Sequence, residues 1–328
     1  MDNLTDKTKE HLYKKSFIVF AGTGVVKESR SCSWIELLKK LEEACIGLIE
    51  KRDWENTDER EYPEIAQQFY DALEKENKIS CYDEIIEEAV RTKTCLYTSA
   101  QNFIVRVADK IVTTNFENSF EYAFEHIKGS APKIQILPTF PKKEFDDGKC
   151  IAYLHGKTKK HLIFRKKDYE FFYPSVSNIQ NGNHSLENFI EHLYFNYTLV
   201  FVGFSFSDIY FLNLLKYLFD KQKREDETLS TYLGKTYSNT DGVQHYAILQ
   251  NRMFEEKRIL ESKQYDNNTI DMKIQTIQQY TEDLERALNR INIKCLWYNE
   301  HKEWNQWFWD IEAMRQGKKI ASPFDYEK

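Results

Sequence analysis

What most constrains the fold is a series of short apolar runs, each closing on a polar or glycine turn and most followed by helical spacing. The plainest is Thr198–Val202, a β-branched and aromatic run that leads into Gly203 and then into a helical pattern over 209–219. Residues 16–21 (SFIVFA) end in Gly22-Thr23-Gly24, residues 110–114 close on Asn115, and residues 151–154 close on His155-Gly156. Further runs at 134–137, 162–164, 245–249 and 294–298 read as strands. Continuous apolar strands belong to sheets buried on both faces, and strands alternating with helices belong to parallel sheets. The expected class is therefore α/β, a parallel sheet with helices on both faces.

Trp34, Leu37, Leu38, Leu41, Cys45 and Leu48 recur at three- and four-residue spacing, which marks one apolar helix face. The stretch from about 54 to 106 continues as helices rich in Glu and Lys and free of glycine. It is too long for an ordinary connection, which predicts a helical module inserted into the α/β core. Residues 173–184 read as a loop, 186–195 as a helix and 223–244 as an irregular polar connection.

Apolar residues make up 41% of the 328 and aromatics 15%, enough for a core without covalent staples. The net charge of −6 leaves no basic footprint for direct nucleic-acid binding. The polar N-terminus has no signal-peptide apolar region, and no apolar run approaches bilayer length. A soluble, cytoplasmic protein without membrane contact is expected. The six cysteines stand singly, as ordinary buried thiols of a reducing compartment do, and no metal site is predicted.

Parallel sheets bind ligands beyond the carboxyl ends of their strands, so the turns there hold the candidate residues. Gly22-Thr23-Gly24 suits close backbone approach to a phosphate, or a plain tight turn. Only Gly47 joins these two glycines in the first 128 residues. Residues 113–117 (TTNFE) suit a helix cap, or an amide that orients water or a ribose hydroxyl. His155 leaves a strand tip, and Gly156 keeps space open beside an imidazole whose ordinary pKa suits proton transfer near neutrality. Gly203 and Ser205 suit a phosphate or ribose, with Ser207 or Asp208 capping the next helix.

Taken in order, these turns resemble the SIR2 superfamily, in particular the SIR2-like branch of bacterial antiphage defence. The family's GAGxS loop resembles Gly22-Thr23-Gly24-Val25-Val26, and its TTN-x-D segment resembles Thr113-Thr114-Asn115-Phe116-Glu117. Its HG matches His155-Gly156, and its FVGYSxSD resembles Phe201-Val202-Gly203-Phe204-Ser205-Phe206-Ser207-Asp208. Weaker echoes are Asp168-Tyr169, His245-Tyr246-Ala247, and Trp297-Tyr298 with His301. The chain departs from the pattern at Thr23, Val26 and Glu117.

The resemblance implies a Rossmann-like parallel sheet with a helical insertion module, forming a single SIR2-like domain over 1–328. The implied core segments are about 14–30, 107–160 and 195–301, with insertions at about 31–106 and 161–194 and a helical tail at 302–328. It implies NAD+ as substrate, with Asn115 ordering water or holding the nicotinamide ribose and His155 as general base. Gly22, Thr23 and Gly24 would face the diphosphate, Gly203 and Ser205 the adenosine half, and Thr114 and Glu117 would complete the binding segment.

Sirtuin deacetylases carry a four-cysteine zinc module after their HG motif, and residues 156–203 here contain no cysteine. The implied activity is therefore NAD glycohydrolysis to nicotinamide and ADP-ribose, as the effector of an antiphage system that depletes NAD. The alternatives are a catalytically silent NAD or ADP-ribose binding subunit and a divergent protein deacylase. Such an activity needs gating. With no room seen for a sensor domain, homo-oligomerisation or a separate partner is expected, a HerA-like ATPase or a short Argonaute being the candidates. Trp304, Trp307, Trp309 and Ile311 suit either a docking face or packing of the last helix.

Overall fold

Strand β1 (Phe17–Ala21) is buried along its whole length at the centre of a seven-stranded sheet. The computed structural model describes residues 12, 16–26, 33–54, 56–90, 96–157, 161–233, 244–263 and 265–317. The other strands are β2 (Lys110–Thr113), β3 (Lys133–Ile136), β4 (Cys150–Tyr153), β5 (Thr198–Val202), β6 (His245–Gln250) and β7 (Ile293–Tyr298). Their order is β3-β4-β2-β1-β5-β6-β7, and every pairing is parallel. The chain leaves β1 towards β2 on one side and returns to pair β5 on the other. That reversal opens a crevice at the carboxyl edge between them.

Register sets the rest. Ala21 pairs with both Thr113 and Val202, and Thr113 pairs with Tyr153. Four adjacent strands thus end level, and the turns that follow them share one edge.

Alternation along each strand divides the core. Ile18, Phe20, Val112, Ala152, Leu199 and Phe201 enter one apolar cluster, and Phe17, Val19, Ala21, Ile111, Ile151 and Val200 enter the other. Two-sided burial explains why these strands read as unbroken apolar runs.

Between β1 and β2 run α1 (Trp34–Ala44), α2 (Tyr62–Lys75), α3 (Ile79–Val90) and α4 (Ser99–Val107). The first three share a separate core built on Leu38, Leu41, Ile65, Phe69, Leu73 and Ile86. Then come α5 (Ser119–Lys128), α6 (Lys142–Asp146), α7 (Lys166–Phe172), α8 (Pro174–Ser177) and α9 (Ser185–Asn196). The series closes with α10 (Ile209–Leu233), α11 (Arg252–Ser262), α12 (Asn267–Arg290) and α13 (His301–Arg315).

Three expectations need correction. Residues 162–164 form no strand: Leu162 and Phe164 pack into the α1–α3 core while Ile163 joins the sheet core, so the extended segment bridges two cores. Helix α10 continues to Leu233 through residues expected to be irregular. Its Lys, Glu and Arg content favours helix and no glycine or proline interrupts it. Residues 234–243 lie outside the described residues. Among the cysteines Cys45, Cys150 and Cys295 are buried free thiols as expected, but Cys81 is exposed; Cys32 and Cys95 lie outside the described residues.

The alternative for the last helix resolves to packing. Trp307 and Ile311 are buried in the sheet core, and Trp309 meets Phe103 of α4 edge-on at 6.1 Å. The side chains of His301 and Trp304 lie outside the described residues. Among the described residues no helix is long and apolar enough to cross a membrane.

Candidate active site

The four level turns enclose a cavity of about 610 Å³, within the usual size of small-molecule sites. Seven of the nine residues singled out from sequence line it: Gly22, Thr23, Thr114, Asn115, Glu117, His155 and Ser205. Gly24 and Gly203 do not. Helices α1 and α2 and the turn before α2 add Trp34, Tyr62 and Arg60 to the wall. These three were not anticipated; Trp34 was legible only as one position of a helical face.

The glycines have a cause other than phosphate approach. Gly22 N–H donates to the Val202 carbonyl at 3.0 Å and Gly24 N–H to that of Gly203 at 2.8 Å. A Cβ on Gly22 would fall 2.4 Å from the Gly203 oxygen, and one on Gly24 2.7 Å from the Gly203 Cα. The turns after β1 and β5 therefore touch backbone to backbone, and both glycine amides are already bonded within the protein. At Gly156 the reason is likewise local. Its φ is 82°, and a Cβ there would lie 1.6 Å from the His161 carbonyl oxygen, so glycine serves a chain contact rather than space beside the imidazole.

Asn115 is held from both ends. Its N–H donates to Thr113 Oγ1 at 3.1 Å, and Nδ2 donates to the Gly22 carbonyl at 3.1 Å. Oδ1 is buried and without a hydrogen-bond partner among the described residues, an unmet acceptor in a residue that lines the cavity. The capping alternative for this segment does not hold, because the N-cap of α5 is Asn118 and makes no side-chain cap bond. Burial pushes the Glu117 carboxyl above the usual range, opposed first by a backbone hydrogen bond, then by bonds from Ser119 and Asn115 and by the charge of Lys157.

His155 is 3% exposed, and burial pushes its pKa down to about 3, so the imidazole is neutral at physiological pH. Its Nε2 lies 3.4 Å from Asp208 Oδ2 and 3.4 Å from the Tyr173 hydroxyl. Its ring meets Tyr169 edge-on at 5.4 Å. Asp208 caps α10 as expected, Oδ1 accepting the Phe211 N–H at 3.0 Å, and it also faces His155, which sequence did not disclose. Burial raises the Asp208 carboxyl to about 6, against bonds from α10 amides and Tyr169. At neutral pH a carboxylate therefore adjoins a neutral imidazole.

Ser205 Oγ lies 2.6 Å from Ser207 Oγ. Between them Phe206 adopts φ of 57°, strained for an aromatic residue and held by packing against Phe201 and Phe204. Of the weaker echoes, Tyr169 lines the cavity, whereas His245 is buried within β6 and Trp297 within the sheet core.

A parallel sheet with its switch point at β1 and β5, and a cavity over that point, defines an α/β protein of the nucleotide-binding kind. Residues 109–270 match the family model for the SIR2-like domain, a span that holds Asn115, Glu117, His155, Ser205 and Asp208. Over that span the chain carries a SIR2-like domain. SIR2-like domains are in general NAD-dependent enzymes, which points to an NAD-related function. Comparison with curated proteins gives no match.

Proposed function

We propose that the chain hydrolyses the bond between nicotinamide and ribose in NAD+, releasing nicotinamide and ADP-ribose. The observation that carries this reading is that the unmet Asn115 Oδ1 and the neutral His155 imidazole belong to one cavity, on level tips of β2 and β4. The glycosidic bond already has a cationic leaving group, so the protein has to position water and stabilise developing positive charge on the ribose.

Asn115 Oδ1 accepts a hydrogen bond from the attacking water or a ribose hydroxyl. The water oxygen bonds to the ribose carbon as the bond to nicotinamide breaks, and nicotinamide leaves neutral. His155 takes the released proton and passes it to solvent, with the Asp208 carboxylate 3.4 Å from Nε2 stabilising the imidazolium in between. Trp34, Tyr62 and Tyr169 wall the site against bulk water.

His155→Ala and Asn115→Ala are each expected to lower nicotinamide release about 10²–10⁴-fold with the fold intact. Wild-type turnover in both variants, followed by chromatography, overturns the assignment.

A silent NAD-binding subunit is the second reading. The deep depression of the His155 pKa favours it, since such an imidazole is a weak base. Tight NAD binding without nicotinamide release distinguishes it. The wider proposal is an effector that depletes NAD during phage infection, gated by self-assembly or by a partner such as a HerA-like ATPase or a short Argonaute. Light scattering on the eluting protein, alone and mixed with each candidate, tests that part.

A further inference from the structure

Two buried residues outside the cavity lining, Gln101 and Ser119, form a chain of hydrogen bonds that ends on Glu117. The chain has one direction. Gln101 occupies the third position of α4, where its Oε1 accepts the Thr98 backbone N–H at 3.0 Å in a capping box. The amide nitrogen, oriented by that bond, donates to Ser119 Oγ at 2.6 Å. With a donor already on its oxygen, the Ser119 hydroxyl directs its single proton to Glu117 Oε1 at 3.1 Å. Gln101 is 0% exposed and Ser119 1%, so water does not substitute for either.

We propose that Gln101 and Ser119 are positioning residues that fix the Glu117 carboxyl on the wall of the cavity and favour its charged form over its neutral one. A buried carboxyl left to itself takes up a proton, and hydrogen bonds donated to its charged form oppose that. The relay acts beside a backbone hydrogen bond to the same carboxyl and three neighbouring side chains. Lys157, which follows β4, attracts the carboxylate but is paired with Glu121 of α5. Tyr153 of β4 also donates to Glu121, at 3.0 Å. Asn115 contributes a further bond to Glu117.

The anchor reaches the glycine turn as well, since Thr98 Oγ1 donates to the Val25 carbonyl at 2.7 Å. One helix start thus fixes two parts of the cavity wall. The relay's consequence for turnover rests on the NAD reading; the state of the Glu117 carboxyl does not.

The test is a carbon-13 NMR titration of the full chain carrying carboxyl-labelled glutamate, with the Glu117 signal identified by its loss in Glu117→Gln. Ser119→Ala removes the donor to the carboxylate. Gln101→Glu keeps the capping acceptor, because glutamate is usual at that position, and removes the amide donor. Both variants are expected to raise the Glu117 midpoint by about one pH unit, the scale of one bond to a charged group. They should also lower kcat/KM for NAD about tenfold on the acid side of the wild-type midpoint. Lower thermal stability in both with an unmoved midpoint would make the relay merely structural and overturn the proposal. A raised midpoint in a chain that leaves NAD intact upholds the relay and removes the hydrolase reading, and turnover with an unmoved midpoint does the reverse.

Discussion

His155 and His245 are uncharged for the same reason: each is enclosed by protein, and burial pushes each pKa down to about 3. Between about pH 3 and the unfolded value of about 6.5, the unfolded chain binds a proton at each position and the folded chain does not. Each histidine therefore removes stability as pH falls through that window, by about 1.4 kcal/mol per unit. Asp208 and Glu117, raised by burial, act in the opposite sense, so the slope of the whole protein is a sum of both signs. A single substitution isolates one contribution. His245 Nδ1 accepts the Leu199 N–H at 3.2 Å, and asparagine preserves an acceptor there without the titration. Denaturant melts of His245→Asn and wild type from pH 6.5 down to 4 should diverge by about 1.4 kcal/mol per unit, the variant losing less. Parallel curves would show that the histidine is charged in the folded state.

At the scale of elements, the contact between the turns after β1 and β5 shapes the edge on which the cavity forms. Gly22→Ala places a methyl group against the Gly203 carbonyl and is expected to destabilise the fold by about 1–3 kcal/mol. Gly148→Ala, with open space around it, should stay within about 0.5 kcal/mol of wild type in the same thermal melts. Equal effects would remove the role given to that contact. The strands were legible because a sheet covered on both faces writes itself as apolar runs such as Thr198–Val202. Residues 162–164 read the same way and failed, since period-two burial also suits an extended segment between two cores. The glycine turn was legible as a landmark but not in its cause, because its partner, the backbone at Gly203, is distant in sequence. Asp208 was visible as a cap, whereas its approach to His155 depends on strand order. Trp34 and Arg60 were hidden because helical spacing does not reveal which helix covers a sheet edge.

At the scale of the molecule, level strand ends bring Asn115, His155 and Asp208 together, and the helices between β1 and β2 cover them. The cavity wall thereby carries the unmet Asn115 Oδ1 and the neutral His155 imidazole. Incubating the purified chain with NAD in oxygen-18 water tests this most directly, both alone and with the products of neighbouring genes added. The account predicts equal amounts of nicotinamide and ADP-ribose, with one heavy oxygen in each ADP-ribose formed. NAD that binds in the cavity and is recovered intact under both conditions would contradict it.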